Sequence, residues 1–196
     1  MRRKNPMKVI CLLGSPRKNG NSTILARKLC DTLEQAGAEI KHYELNKMNY
    51  RGCQACEVCQ KQKKNCILRD DLAEVFETVQ NSDIVIFASP VYFGDVSAQL
   101  KGYIDRSRCF IDRRENGNKI SRLKPGIKFA MILTQAATEK YHQGIHPEYE
   151  RLFQTFTKDM PLIQVPGVLG EEEILNKPEF LQQAEDLAKK FLADTQ

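Results

Sequence analysis

Cys53, Cys56, Cys59 and Cys66 fall within 14 residues, in the pattern C-x2-C-x2-C-x6-C. A thiolate is both a soft metal ligand and a nucleophile. Four thiols this close therefore ask for a bound metal, an iron–sulfur centre or thiol redox chemistry. A disulfide framework fits poorly with a chain of 196 residues and no export signal. A zinc ribbon spreads two C-x2-C pairs over a longer stretch. Three cysteines at successive x2 intervals are closer to the run that wraps a cubane cluster. The fourth, six residues on, lets all four ligate one [4Fe-4S] centre. On spacing alone, redox-active thiols and zinc stay open beside it.

A second group is built for an anion. Residues 14–23 read GSPRKNGNST. They follow an apolar run and open a helical pattern, so unpaired backbone N–H groups and the positive helix end face the same place. Ser15, Asn21, Ser22 and Thr23 add hydroxyl and amide donors, and Gly14 and Gly20 permit sharp turns. A phosphate monoester fits. The dinucleotide pattern G-x-G-x-x-G is absent. A P-loop is excluded because five residues separate the glycines and Asn-Ser follows. Ser15 and Lys18 match S-x-x-K, but no K-T-G accompanies them. A third group, Pro90, Val91, Tyr92, Phe93 and Gly94, places two adjacent aromatics after an apolar run in a chain with 8% aromatics. A flat aromatic ligand can stack on Tyr92 or Phe93, although helix packing or an oligomer contact would also use them.

The elements that must position these groups alternate. Strands are expected at 8–14, 38–45, 83–89, 127–134 and 161–169. Helices are expected at 22–36 (capped by Asn21 or Ser22 and stopped by Gly37), about 71–80 (capped by Asp70 or Asp71), about 97–108, about 147–159 and 178–193. Residues 46–69 read as a long cysteine-bearing loop, 90–95 as a loop, 110–126 as polar turns and 135–146 as a loop. Five strands alternating with helices imply an α/β fold: a doubly wound five-stranded parallel sheet with helices on both faces. Ligands then bind beyond the carboxyl ends of the strands, which is where all three groups lie. The expected organisation is one domain over 1–196, with 46–69 as an insertion within it.

GSPRKNGNST after the first strand and SPVYFGDVSAQLKGYIDR after the third resemble the NADPH-dependent FMN reductase family of flavodoxin-like proteins. CQACEVCQKQKKNCILRDDL between them is similar to the compact cysteine motif of its iron–sulfur flavoprotein subgroup. The resemblance covers about residues 7–110. It implies an FMN whose phosphate sits among Ser15, Arg17, Asn19, Asn21, Ser22 and Thr23. Its ring would lie against Pro90, Val91, Tyr92, Phe93 and Gly94. It also implies a [4Fe-4S] cluster on Cys53, Cys56, Cys59 and Cys66. In the subgroup the spacing to the fourth cysteine varies, so x6 is within the pattern. Thr134-Gln135-Ala136-Ala137 stands where relatives often carry a glycine-rich turn at the flavin ring.

The implied activity is an FMN-dependent oxidoreductase. Electrons would come from a low-potential donor or NAD(P)H, and the acceptor would be a quinone, dioxygen or peroxide. No side chain stands out as a catalytic acid or base. The alternatives are a cluster-free NAD(P)H:FMN/quinone reductase and a non-enzymatic flavodoxin-like carrier. The resemblance further implies a homodimer or homotetramer.

The remaining features are weaker. Thirty Lys and Arg oppose 25 Asp and Glu, a net charge of +5. Flavodoxin-type carriers are typically acidic, so this charge disfavours that alternative. Lys61, Lys63 and Lys64 could attract an acidic donor such as a ferredoxin. No nucleic-acid motif is present. The longest apolar stretch is about six residues, too short to span a membrane. The basic start of the chain reads as a ragged leader, and the expected location is cytoplasmic. Cys11 is expected in the core, Cys30 on a helix flank, Cys109 partly buried and His42 exposed. His142 and His146 are expected as capping or surface residues in the loop after the fourth strand, within reach of a flavin there.

Overall fold

The structure is a computed structural model, and it describes residues 5–114 and 116–194. Residues 1–4 of the basic leader expected at 1–7 lie outside them. In chain order the elements are β1 (Lys8–Leu13), α1 (Asn21–Gln35), β2 (Glu39–Glu44), α2 (Val58–Lys61), α3 (Leu72–Gln80), β3 (Ile84–Tyr92), β4 (Asp95–Val96), α4 (Ala98–Arg106), β5 (Ile111–Arg113), β6 (Lys119–Ser121), β7 (Lys128–Thr134), α5 (Ile145–Phe153), β8 (Leu162–Val165) and α6 (Pro178–Ala193). Short 3-10 turns follow β2 and α4 and precede α6.

Five parallel strands pair in the order β2-β1-β3-β7-β8, as the alternating pattern requires. Apolar runs such as Val9–Leu13 and Ile84–Ala88 are buried on both faces, because each face has its own helix layer. Ile10, Leu12, Val85, Phe87, Phe129 and Met131 pack with residues of α3, α4 and α5. The alternate residues Val9, Cys11, Leu13, Ile86, Ala88 and Ile132 pack with α1 and α6. The strand order reverses between β1 and β3. The loops after those two strands therefore leave the sheet in opposite directions and open a crevice at its carboxyl edge.

Several local expectations are corrected. The N-cap of α1 is Gly20, with no side-chain cap; Asn21 lies inside the helix because its amide is engaged elsewhere. Asp71 occupies the cap position of α3, but it accepts from the Asn49 backbone N–H (2.6 Å) and gives no side-chain cap. The loop expected at 90–95 is a tight hairpin: β3 runs on through Pro90 to Tyr92 and pairs back with β4, Tyr92 opposite Asp95. β5 and β6 pair antiparallel, where polar turns alone are expected. The cysteine loop contains the single turn α2. The last strand is only Leu162–Val165. Among the described residues, no helix is long and apolar enough to cross a membrane.

Candidate functional site

Gly14 donates to the Ala88 carbonyl (2.8 Å), which draws the first loop onto the end of β3. A Cβ at Gly14 would come within 2.8 Å of Ser97 Oγ and 2.9 Å of Leu100 Cβ, so the close approach of α4 requires glycine there. Ser97 links the two loops. Its N–H donates to Ser89 Oγ (2.8 Å), and its hydroxyl donates to the Gly14 carbonyl (2.7 Å) while capping α4 at Leu100 N. Ser89 and Ser97 are fully buried.

The first loop is fastened from the other side by residues 169–174. Arg17 Nη1 donates to the Leu169 carbonyl (2.6 Å), and Asn19 Nδ2 donates to Glu172 Oε1 (2.7 Å). Asn21 donates to the Gly170 carbonyl (2.7 Å) and accepts from Ile174 N–H (3.0 Å). Three of the six residues expected at a phosphate thus hold the loop in shape. The hydroxyls of Ser22 and Thr23 remain in the first turn of α1, while Ser15 Oγ accepts from the Arg17 N–H (3.2 Å). Ser22 Oγ is buried with no hydrogen-bond partner. An orphaned buried hydroxyl at a helix N-terminus is costly unless something fills its valence.

At the β3–β4 hairpin both turn residues are left-handed, Phe93 at φ +49° and Gly94 at φ +85°. Two residues with positive φ make the turn whose twist matches the flanking strands. Glycine adopts that conformation freely, whereas a phenylalanine there is strained. Phe93 is also fully exposed, and Tyr92 beside it is exposed. A strained, exposed aromatic at the crevice suits a stacking surface. Asp95 below it accepts from Tyr149 OH (2.6 Å), and burial, followed by that carboxylate, pushes the Tyr149 hydroxyl pKa well up. His142 borders a groove with Gly94 and Asp95, while His146 is held at the Met160 carbonyl (2.5 Å).

The four cysteines of the 46–69 loop come together. Cys53, Cys56, Cys59 and Cys66 line one recess with Arg106 and Arg108. Three non-glycine residues of this loop, Ala55, Glu57 and Lys63, have positive φ, so the chain is wound tightly around it. Arg106, fully buried, donates from Nη1 to Asp70 Oδ2 (2.7 Å) and to the Arg51 carbonyl (3.0 Å). Burial opposes its charge, but Asp70 and the Cys66 sulfur outweigh that and raise its pKa. Arg122 Nη1 clamps the Cys59, Lys64 and Cys109 carbonyls at 2.9–3.1 Å. The Nε and Nη2 of Arg106 and of Arg122, and the Nε of Arg108, are buried without hydrogen-bond partners. Buried guanidinium nitrogens around four thiols fit an anionic thiolate-ligated group. Cys109, expected partly buried, is fully buried behind the recess, and burial raises its pKa to about 12.

No three of the four loop sulfurs lie within 4.8 Å of one another among the described residues. A tetrahedral zinc with Zn–S of about 2.3 Å needs sulfurs about 3.8 Å apart. As placed, the four sulfurs are too far apart to close on one zinc ion.

Sequence reasoning missed Ser89, Ser97, Arg106, Arg122 and Gln135. Gln135 is buried; its amide donates to the Thr138 (2.9 Å) and Tyr141 (3.1 Å) carbonyls and accepts from Gln164 (2.7 Å). It shapes the loop that was read as a departure from a glycine-rich turn. Only the polarity of these five was visible in the sequence: Arg106 and Arg122 reach partners up to 63 positions away, and the local turns that engage Ser89 and Gln135 carry no sequence signature.

Fold and crevice together define a flavodoxin-like α/β protein with a donor-rich first loop and an aromatic third loop. The chain belongs to the NADPH-dependent FMN reductase family, whose model matches residues 7–155. It is 41% identical over 102 residues to an iron–sulfur flavoprotein of Methanocaldococcus jannaschii, covering 52% of each chain. It is 43% identical over 102 residues to one of Archaeoglobus fulgidus, covering 51% of this chain and 45% of that one. The chain thus spans about half the length of these curated relatives. Among solved structures it is similar to an NAD(P)H:quinone oxidoreductase from Methanothermobacter marburgensis (TM-score 0.72, 18% identity, 94% and 96% covered). It is also similar to an FMN-dependent NADH-azoreductase from Bacillus anthracis in complex with FMN (TM-score 0.68, 14% identity, 94% and 98% covered). At these identities the likeness concerns the fold.

Proposed function

We propose that the chain is an FMN-dependent oxidoreductase that draws electrons through a [4Fe-4S] cluster held by Cys53, Cys56, Cys59 and Cys66. The observation that carries this reading is the convergence of those four thiols with buried, unpartnered guanidinium nitrogens in one recess. Bound FMN exchanges one or two electrons and a cubane cluster exchanges one, so the pair suits a single-electron donor and a two-electron acceptor.

The chain's own residues place and tune these groups. Ser15, Ser22, Thr23 and the first amides of α1 receive the phosphate, in a loop that Arg17, Asn19 and Asn21 hold rigid. Pro90, Val91, Tyr92, Phe93 and Gly94 present the ring surface. Arg106 offsets thiolate charge at the recess, and the fold keeps it about one nine-residue helix, roughly 13 Å, from the α4 N-terminus at the first loop. Lys61, Lys63 and Lys64 beside the recess favour an acidic donor of the ferredoxin kind; Lys63 reaches Asp112 at 3.5 Å and stays largely exposed. The acceptor would be a quinone, dioxygen or peroxide. Membership of a family named for NADPH favours a second reading, in which NAD(P)H supplies a hydride to the flavin directly and the cysteines take no part.

Turnover separates the two. FMN-loaded anaerobic protein is given a quinone with either reduced viologen or NADPH. Under the first reading the viologen rate falls sharply in Cys59→Ser. Equal viologen rates in the two proteins, with NADPH turnover unchanged, would overturn the cluster route.

A further inference from the structure

A second set of metal-type donors lies on the opposite face of the sheet from the cysteine recess. Cys11 on β1 pairs in register with His42 on β2, so the two side chains leave the same face. Cys30 comes down onto that face from α1. The two sulfurs and an imidazole nitrogen all lie within 4.8 Å of one another, the only such His/Cys/Asp/Glu group among the described residues. Donor separations for tetrahedral zinc are about 3.5–3.8 Å, given metal–sulfur and metal–nitrogen bonds of about 2.3 and 2.0–2.1 Å. The 4.8 Å limit is about 1 Å wider than that, so a small adjustment of the three side chains closes the set on an ion.

We propose that Cys11, Cys30 and His42 form a three-ligand site for a borderline-soft divalent cation of the zinc type, with water in the fourth position. The placement of the three donors separates this from ordinary core packing. The thiols are almost completely buried, whereas His42 is exposed at the sheet edge. An ion can therefore enter from solvent while both sulfurs stay shielded from oxidation. Binding a metal would displace the thiol protons and draw both sulfurs to thiolate. The surrounding charges are mixed. Arg27 opposes a cation but pairs with Glu44 (3.7 Å), and Asp31 and Glu34 near Cys30 favour one. Three protein ligands place the site below a closed structural zinc site in affinity. The inference is independent of the flavin and cluster reading, since none of its residues lies in either site.

The test uses the full chain with Cys53, Cys56, Cys59 and Cys66 all changed to Ser, reduced and anaerobic, with folding checked by circular dichroism. Cobalt(II) is titrated as the coloured probe and then displaced by zinc(II). The expected result is one equivalent of cobalt with a thiolate-to-cobalt charge-transfer band and the intense d–d absorption of a tetrahedral ion, lost on adding one equivalent of zinc. His42→Ala, at an exposed position, is expected to weaken binding by at least about 10-fold, the lower end of the loss for even an outer partner. Cys30→Ala should abolish the charge-transfer band or reduce it strongly. Absence of the band, or binding unchanged by His42→Ala, would overturn the site. If the four-serine chain does not fold, the zinc content of otherwise wild-type protein is compared with that of His42→Ala. A loss of one zinc per chain supports the site, and equal content refutes it.

Discussion

Arg106 shows how a single side chain can be both structural and poised. Its Nη1 holds Asp70 and the Arg51 carbonyl, which pins the two ends of the cysteine loop, while Nε and Nη2 remain free beside the thiols. Burial raises the Asp70 pKa, but Arg106 and the backbone amides of Arg51 and Leu72 more than offset it, so the net shift is downward. A lowered folded-state pKa contributes stability above the unfolded value near 4, and that stability is lost as pH falls through the folded value. Asp70→Asn should therefore cost about 3–5 kcal/mol at pH 7, since it strands a buried guanidinium. The gap to wild type should narrow in urea unfolding below about pH 4. A gap that stays constant into acid would show that the ion pair is not its source. Phe93→Gly should act in the opposite direction on stability. Removing a strained left-handed phenylalanine should stabilise by about 1 kcal/mol, while loss of its face should weaken FMN binding roughly 2–10-fold; thermal melts and flavin fluorescence read the two effects. The cysteines and the aromatic pair were legible from type and spacing. Arg106 was not, because its role depends on where the end of α4 packs.

The elements carry a different lesson. Long periodic helices and the buried β1, β3 and β7 runs were legible because one pattern spans many residues in each. The hairpin at Tyr92–Asp95 was not, since Pro90 reads as a break and β4 is two residues long. The β5-β6 pair hid for the same reason, with three residues per strand. The clasp between residues 15–21 and 169–174 was invisible, because its partners are about 150 positions apart. It has a measurable consequence. Asn21→Ala removes both sides of the Gly170–Ile174 contact and should cost about 1–3 kcal/mol. Hydrogen exchange should rise selectively over 169–174 and 15–20. Exchange that rises uniformly along the chain would show that the clasp is part of global stability and does not set the shape of the phosphate loop.

At the scale of the molecule, the strand order β2-β1-β3-β7-β8 decides where function can sit. It puts the crevice between the ends of β1 and β3 and delivers the donor-rich first loop and the aromatic hairpin to its two sides. It also carries the cysteine loop from the end of β2 to the far end of α4. The parallel architecture followed from alternation alone; the pairing of cysteine recess with crevice needed the fold. The central claim is that this recess holds an iron–sulfur cluster beside a flavin, and protein purified under strict anaerobiosis tests it most directly. Iron, acid-labile sulfide and FMN are measured per chain in wild type and in Cys66→Ser. The account requires about four iron and four sulfide in the wild type, brown absorption beneath the flavin bands, and loss of most of the iron in Cys66→Ser with FMN retained. Less than about one iron per chain in the wild type, with flavin bound, would contradict it.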